Sequence, residues 1–299
     1  MYHELRKRGT RILVTGAAGF IGRALVRALP QAGHAVIALT RSDGDVTDPA
    51  TWRPLPAVDH VFHLAARSYV PDSRRDPSAF HHTNVNGTVQ AREYCRAHGA
   101  HLVFVSAYVY GVPQRLPIRE DDPVAPNNPY ARSKVAAEQV CAAHAATTSL
   151  PVTIVRPFNV FGPGQRREFL IPTILDQVRR GGTIRVNDLA PRRDYVFIDD
   201  LVAALIATIE NPAGYRVFNI GLGVSYSVRE IIDVMQTVAG TRLPVVSDEE
   251  ARPDEIPDVR ADITRAREVL GWTPRYMFAE GIERLLRDEA AAPSKQACP

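Results

Sequence analysis

Residues 11–22 constrain this chain more than any other stretch. Arg11-Ile12-Leu13-Val14-Thr15 reads as a short buried strand and runs directly into Gly16-Ala17-Ala18-Gly19-Phe20-Ile21-Gly22, which opens an apolar-periodic helix through Ala24, Leu25 and Leu29. Glycines at a strand-to-helix turn let the backbone approach a pyrophosphate, and the helix start offers unpaired N–H groups to its charge. The spacing, Gly-x-x-Gly-x-x-Gly, predicts a dinucleotide site at the end of the first strand of a parallel sheet.

The rest of the chain fits such a sheet. Strand candidates at Arg11–Thr15, Ala35–Thr40, Val58–Ala65, Leu102–Ser106 and Val152–Arg156 alternate with helical stretches, the pattern of a doubly wound parallel α/β fold. Pro49, Pro54 and Pro56 crowd the second-to-third connection, so its helix is expected to shrink to a turn and a stub. Beyond Phe169 the reading gives a helix through Ile174, Leu175 and Val178, another at Asp199-Asp200-Leu201, and a third starting near Ser227. Residues 1–168 are expected to form mainly a dinucleotide-binding lobe and 169–289 mainly a smaller C-terminal substrate-binding lobe, with the chain crossing between them. The alanine- and proline-containing tail, 290–299, has little to bury and is expected to be disordered.

Composition removes other classes. At 299 residues and 45% hydrophobic content the chain can bury a large core. It has no apolar run of roughly 18 residues and no hydrophobic leader at Met1–Arg8, which predicts a cytoplasmic protein without membrane contact. Cys95, Cys141 and Cys298 lack metal-ligand or redox spacing, so no metal is expected. A net charge of +3 gives no argument for nucleic acid, and Arg166-Arg167 and Arg192-Arg193 suit phosphate-bearing small ligands or a solvated surface.

A reacting pair sits at Tyr130-Ala131-Arg132-Ser133-Lys134. A tyrosine and a lysine four apart share one helix face. Lys134 is one of only three lysines, and an ammonium beside a phenol favours phenolate, which makes Tyr130 a usable acid or base.

The glycine turn and this pair together resemble the extended short-chain dehydrogenase/reductase family, in its nucleotide-sugar epimerase, dehydratase and 4-ketoreductase branch. Further matches, in the family's order, are Val61-Phe62-His63-Leu64-Ala65-Ala66, Asn84-Val85-Asn86-Gly87-Thr88, Val109-Tyr110-Gly111, Arg156-Pro157-Phe158-Asn159-Val160-Phe161-Gly162, Arg193-Asp194-Tyr195 and Leu270-Gly271-Trp272-Thr273-Pro274. The resemblance implies a Rossmann-like fold, a homodimer, and catalysis by Ser106, Tyr130 and Lys134. Ser106 would bond the substrate oxygen, Tyr130 exchange its proton, and Lys134 hold the nicotinamide ribose. Gly16, Gly19, Phe20, Ile21, Gly22, Asp45, Val46, Leu64, Ala65, Ala66, Asn84 and Pro157 would line the cofactor, although Asn84 could equally cap a helix. Asn159, Arg193 and Arg252 match contacts to a nucleotide-sugar diphosphate and ribose, and Glu255 an acceptor of ribose hydroxyls. The family more often has Gly-Asp where this chain has Asp254-Glu255.

At the end of the second strand, where an acidic residue usually holds an unphosphorylated ribose, stands Thr40-Arg41-Ser42. Arg41 could pair with a 2′-phosphate, which favours NADP; Asp43 could still reach a ribose, which keeps NAD open. Ala107-Tyr108 replaces the acidic pair that sugar-nucleotide dehydratases carry after the catalytic hydroxyl, which argues against dehydration. The leading expectation is reduction of the C4 ketone of a nucleotide-linked 4-keto-6-deoxyhexose. The alternative is an NAD-dependent 4-epimerase, and a non-catalytic dinucleotide-binding regulator stands third.

Overall fold

The structure is a computed structural model, and it describes residues 9–249 and 255–291. Strands β1 (Arg11–Thr15), β2 (Ala35–Leu39), β3 (His60–His63), β4 (His101–Val105) and β5 (Val152–Pro157) are parallel neighbours in the order β2-β1-β3-β4-β5. The smaller strands β6 (Asn159–Phe161), β7 (Ile184–Val186) and β8 (Arg192–Phe197) follow, and then β9 (Tyr215–Ile220) returns to close the six-stranded sheet beside β5. This is the doubly wound, Rossmann-like α/β fold that the sequence predicts.

The central strands β3, β4 and β5 are buried along their whole length because helices cover both faces. Alternate residues feed two cores. Ile12, Val14, Phe62, Val103, Val105 and Val155 pack on one side. Leu13, Val61, Leu102, Phe104 and Ile154 pack on the other.

Helix α1 (Phe20–Gln31) lies on the first face. The second-to-third connection holds only the one-turn α2 (Pro49–Trp52), with Asp48 accepting from the Ala50 N–H, as the prolines foretell. Past β3, α3 (Val70–Arg75) and α4 (Pro77–His81) lead through a π turn at His82–Asn86 into α5 (Gly87–His98). Helix α6 (Pro129–Thr147) packs beside α5 on the second face; its start is fixed by Pro129 and by Asn128, whose side chain accepts from Ala131 N at 2.9 Å.

The second half is shared between both lobes. Helix α7 (Leu170–Arg180) joins β6, β7 and β8 in the smaller lobe, whereas α8 (Ile198–Ala207) packs on α1. Strand β10 (Ser225–Ser227) pairs with β8, and Ser227 with Glu230 makes a reciprocal capping box at the start of α9 (Val228–Ala239). Strand β11 (Val245–Ser247), α10 (Thr264–Leu270) and α11 (Phe278–Ala291) complete the chain. Residues of α1, α7, α8, α9 and α11 meet in one continuous core. Trp272 and the backbone of Arg275 and Tyr276 are tied to Asp200 on α8. Among the described residues no helix is long and apolar enough to cross a membrane. Of the predicted tail, 292–299 lies outside the described residues.

Candidate active site

The β1–α1 turn is a backbone device. Gly16 adopts φ +66°, and a Cβ there would meet the Ala65 backbone at 2.8 Å. At Gly22 a Cβ would run into the Gly16 carbonyl, so only glycine lets α1 press against the end of β1. The helix cap is Gly19, which has no side chain to satisfy the first-turn N–H groups at Phe20, Ile21 and Gly22. These face outward as an anion-binding end, and the arrangement fits the pyrophosphate of a dinucleotide. Beside it, Thr15 Oγ1 accepts from Leu64 N at 3.2 Å and Ala65 N at 3.1 Å, which draws the segment after β3 to the glycine turn. Gly16, Gly19, Phe20, Ile21, Gly22, Leu64, Ala65 and Ala66 therefore converge.

After β2 the two candidates for the ribose behave differently. Asp43 turns inward on its own loop: Oδ2 accepts from Thr40 N at 2.8 Å and Thr40 Oγ1 at 2.7 Å, and these bonds hold its carboxyl below the usual range. Arg41 is exposed, with no hydrogen bond or ion pair to any described residue. Asp45 is exposed, and its Oδ1 takes the Thr47 N–H and hydroxyl. Val46 packs against Gly87, at the end of the π turn.

On α6, Tyr130, Lys134 and Glu138 rise along one face. Tyr130 is half-buried, edge-on to Phe80, and its hydroxyl bonds no described residue. Lys134 makes its bonds on the sheet. Its Nζ donates to the Val105 carbonyl at 2.6 Å and sits 4.1 Å above the Phe104 ring. Burial lowers the Lys134 pKa to about 8, against the opposing charge of Glu138. Burial also pushes the Tyr130 phenol up.

Ser106 follows β4 directly, as expected, and its hydroxyl donates to Glu138 Oε1 at 2.5 Å. Glu138 also takes Arg156 Nε at 3.0 Å and Nη2 at 2.6 Å in a buried, two-pronged ion pair. Sequence reasoning missed Glu138, although its spacing of four from Lys134 and eight from Tyr130 was visible. Asn84 is no helix cap. It lies within the π turn and bonds Arg67 N and O and Ser133 Oγ, and Ser133 donates to the Tyr130 carbonyl, so Asn84 braces the start of α6. Pro157 closes β5 and is buried.

In the smaller lobe Asn159 and Arg193 are neighbours, because β6 pairs with β8 and Asn159 Nδ2 donates to the Asp194 carbonyl at 3.2 Å. Buried Asp194 anchors this corner by accepting from Leu222 N, Gly223 N and Ala261 N; burial raises its pKa to about 6. Arg193 and Glu255, expected to contact different parts of a substrate, bond each other, and Arg193 also donates to the Arg192 and Ile256 carbonyls. Arg252 lies outside the described residues. No metal-binding group of His, Cys, Asp and Glu occurs among the described residues.

With this geometry in view, comparison with known proteins is specific. Residues 12–221 match the model of the NAD dependent epimerase/dehydratase family. GDP-6-deoxy-D-mannose reductase of Pseudomonas aeruginosa is 32% identical over 296 residues, covering 93% of this chain and 96% of that protein. UDP-glucose 4-epimerase of Mycolicibacterium smegmatis is 34% identical over 310 residues, covering 92% and 96%. Among solved structures, RMD from Pseudomonas aeruginosa complexed with NADPH superimposes with a TM-score of 0.87 at 30% identity, covering 93% of this chain and 98% of that one.

Proposed function

This chain belongs to the NAD-dependent epimerase/dehydratase family of nucleotide-sugar enzymes, and from that premise we propose that it reduces the C4 ketone of a nucleotide-linked 4-keto-6-deoxyhexose. The observation that carries the reading is the likeness, over nearly the whole length of both chains, to a GDP-6-deoxy-D-mannose reductase and to a structure complexed with NADPH. A ketone reductase needs a proton donor beside the C4 oxygen, and Tyr130 is proposed to be that donor.

The bound dinucleotide supplies hydride. The chain's own residues do the rest. The uncapped start of α1 and the Gly16 turn would hold the pyrophosphate, and Lys134 is proposed to take the nicotinamide ribose. Tyr130 gives its proton to the C4 oxygen as the carbonyl becomes a hydroxyl. Ser106 bonds that oxygen. Asn159, Arg193, Arg252 and Glu255 hold the nucleotide diphosphate and its ribose, with Glu255 passing from Arg193 to the ribose hydroxyls as the diphosphate takes over the guanidinium. The outward, unpaired Arg41 and the inward-turned Asp43 support NADP over NAD. The likeness to a reductase and to a structure holding NADPH points the same way. The active form is proposed to be a homodimer.

The second reading, a 4-epimerase, is favoured by the Mycolicibacterium smegmatis relative. One experiment separates the two. The purified protein is denatured to release any bound cofactor, and the native protein is incubated with NADPH and a panel of 4-keto-6-deoxy nucleotide sugars. The reductase purifies largely empty and oxidises NADPH in proportion to the keto sugar supplied. Retained NAD, with UDP-hexoses interconverted without added cofactor, would instead establish the epimerase.

A further inference from the structure

Residues 101–111 are buried with one exception, Tyr108. Its ring stands edge-on to Phe158 at 5.4 Å and to Tyr110 at 5.7 Å between centroids, and its hydroxyl donates to the Gly111 carbonyl. Burial pushes the Tyr108 phenol up, against the opposing charge of Arg193, which puts the ring near that guanidinium. Tyr108 thus follows Ser106 by two residues and approaches Arg193 of the smaller lobe.

The geometry of a hexose makes that position informative. A hexopyranosyl diphosphate carries its diphosphate on C1 and, in the keto sugar, its ketone on C4, at opposite corners of the ring. With the C4 oxygen at Ser106 and the diphosphate at Arg193, the body of the sugar spans the stretch where Tyr108 stands. The single proton of the Tyr108 hydroxyl is spent on Gly111, so the ring offers the sugar carbon and no donor. Such a surface suits a methyl at C6 and penalises a hydroxyl, which loses its water there without gaining a partner.

We propose that Tyr108 is a specificity-determining residue, packing on the C5–C6 edge of the sugar and selecting a 6-deoxyhexose over the hexose that keeps its C6 hydroxyl. The inference rests on the proposed placement of the C4 oxygen at Ser106 and of the diphosphate at Arg193.

Affinity tests it without turnover. The native protein is titrated by calorimetry with nucleotide sugars paired to differ only at C6: 6-deoxymannose against mannose on GDP, and 6-deoxyglucose against glucose on UDP and on dTDP. In the tightest-binding pair the deoxy sugar is expected to bind about tenfold more tightly, inside the roughly hundredfold limit for an apolar site that rejects an added hydroxyl. Tyr108→Phe should keep that ratio, because the hydroxyl serves Gly111. Tyr108→Gln brings an amide that can bond a C6 hydroxyl, and the ratio is expected to fall below about threefold. Should Tyr108→Gln fold poorly, Tyr108→Ala opens the same wall to water and carries the same expectation. A native ratio near one, or a full ratio in Tyr108→Gln or Tyr108→Ala, would overturn the proposal; NADPH oxidation by the same native preparation reports on the reductase reading separately. Loss of the ratio in Tyr108→Phe would give the selection to the hydroxyl and overturn the carbon contact. Binding of none of the pairs would overturn the proposal together with the placement of the diphosphate.

Discussion

The dinucleotide turn and the acid–base cluster lie at the same edge of one sheet, yet they are built from different parts of the chain. At the turn the functional groups belong to the backbone: N–H groups at the start of α1, made reachable by Gly16, Gly19 and Gly22. In the cluster they are side chains, and each has chosen a partner: Lys134 the Val105 carbonyl, Ser106 the carboxylate of Glu138, and Glu138 the guanidinium of Arg156. A backbone site is dictated by sterics and leaves a signature in residue type. A side-chain site depends on which donor meets which acceptor, and sequence spacing names some of its members without naming the pairs.

Substitutions can break this contrast. The largest effect is expected at Tyr130, where Tyr130→Phe preserves the packing on Phe80 and removes the proton donor; turnover should fall by about 10²–10⁴ while dinucleotide affinity stays near its original value. Equal loss of affinity, seen by titrating cofactor fluorescence, would move Tyr130 from the side-chain site to the backbone site.

The charge of Lys134 should appear in the pH profile. A lysine titrating at about 8 is cationic below that pH and neutral above it, so turnover is expected to hold on the acid side of 8 and to decline about tenfold per unit above it. A profile flat to pH 10 would show that the ammonium is not needed or not depressed.

Arg41 is a side chain serving the backbone site, and it sharpens the comparison. Arg41→Ala should weaken NADPH by about 1.5–3 kcal/mol and leave NADH little changed, as measured by calorimetry. Equal weakening of both would mean that Arg41 stacks on adenine without reading a 2′-phosphate.

The smallest expected effect is on stability. Gly22→Ala drives a methyl into the Gly16 carbonyl and should cost about 1–3 kcal/mol in denaturant unfolding. Ala18→Ser, on the exposed side of the same turn, is expected to be neutral. Similar losses from both would contradict a site made by close backbone approach.

The fold was legible wherever one local rule sufficed. The strand into the glycine turn, the stub at Pro49–Trp52 between crowded prolines, and Ser227 capping α9 each follow from neighbouring residues. The cluster was legible only in part: Glu138 was missed, and the pairings could not be read. Tyr130 and Lys134 are where spacing puts them, but the lysine reaches across to β4, because burial of α6 against the sheet brings the Val105 carbonyl within its span. The Asn84 side chain, read as a cap or a cofactor contact, bonds Ser133 on α6, a partner that no spacing announces. Arg193 and Glu255, separated by 62 positions, meet only because β8 and the segment after residue 254 adjoin in space. None of these pairings has a sequence period to betray it.

The central claim is net reduction at C4, and the most direct measurement follows the hydrogen itself. NADPH carrying deuterium at C4 of the nicotinamide is oxidised in the presence of a 4-keto-6-deoxy nucleotide sugar, and the sugar product is examined by proton NMR. The account predicts one deuterium retained at sugar C4 for each NADPH consumed, and no label in the Tyr130→Phe variant over the same time. Two 4-epimers interconverting on NAD that the protein kept through purification, with no deuterium entering the sugar, would contradict it.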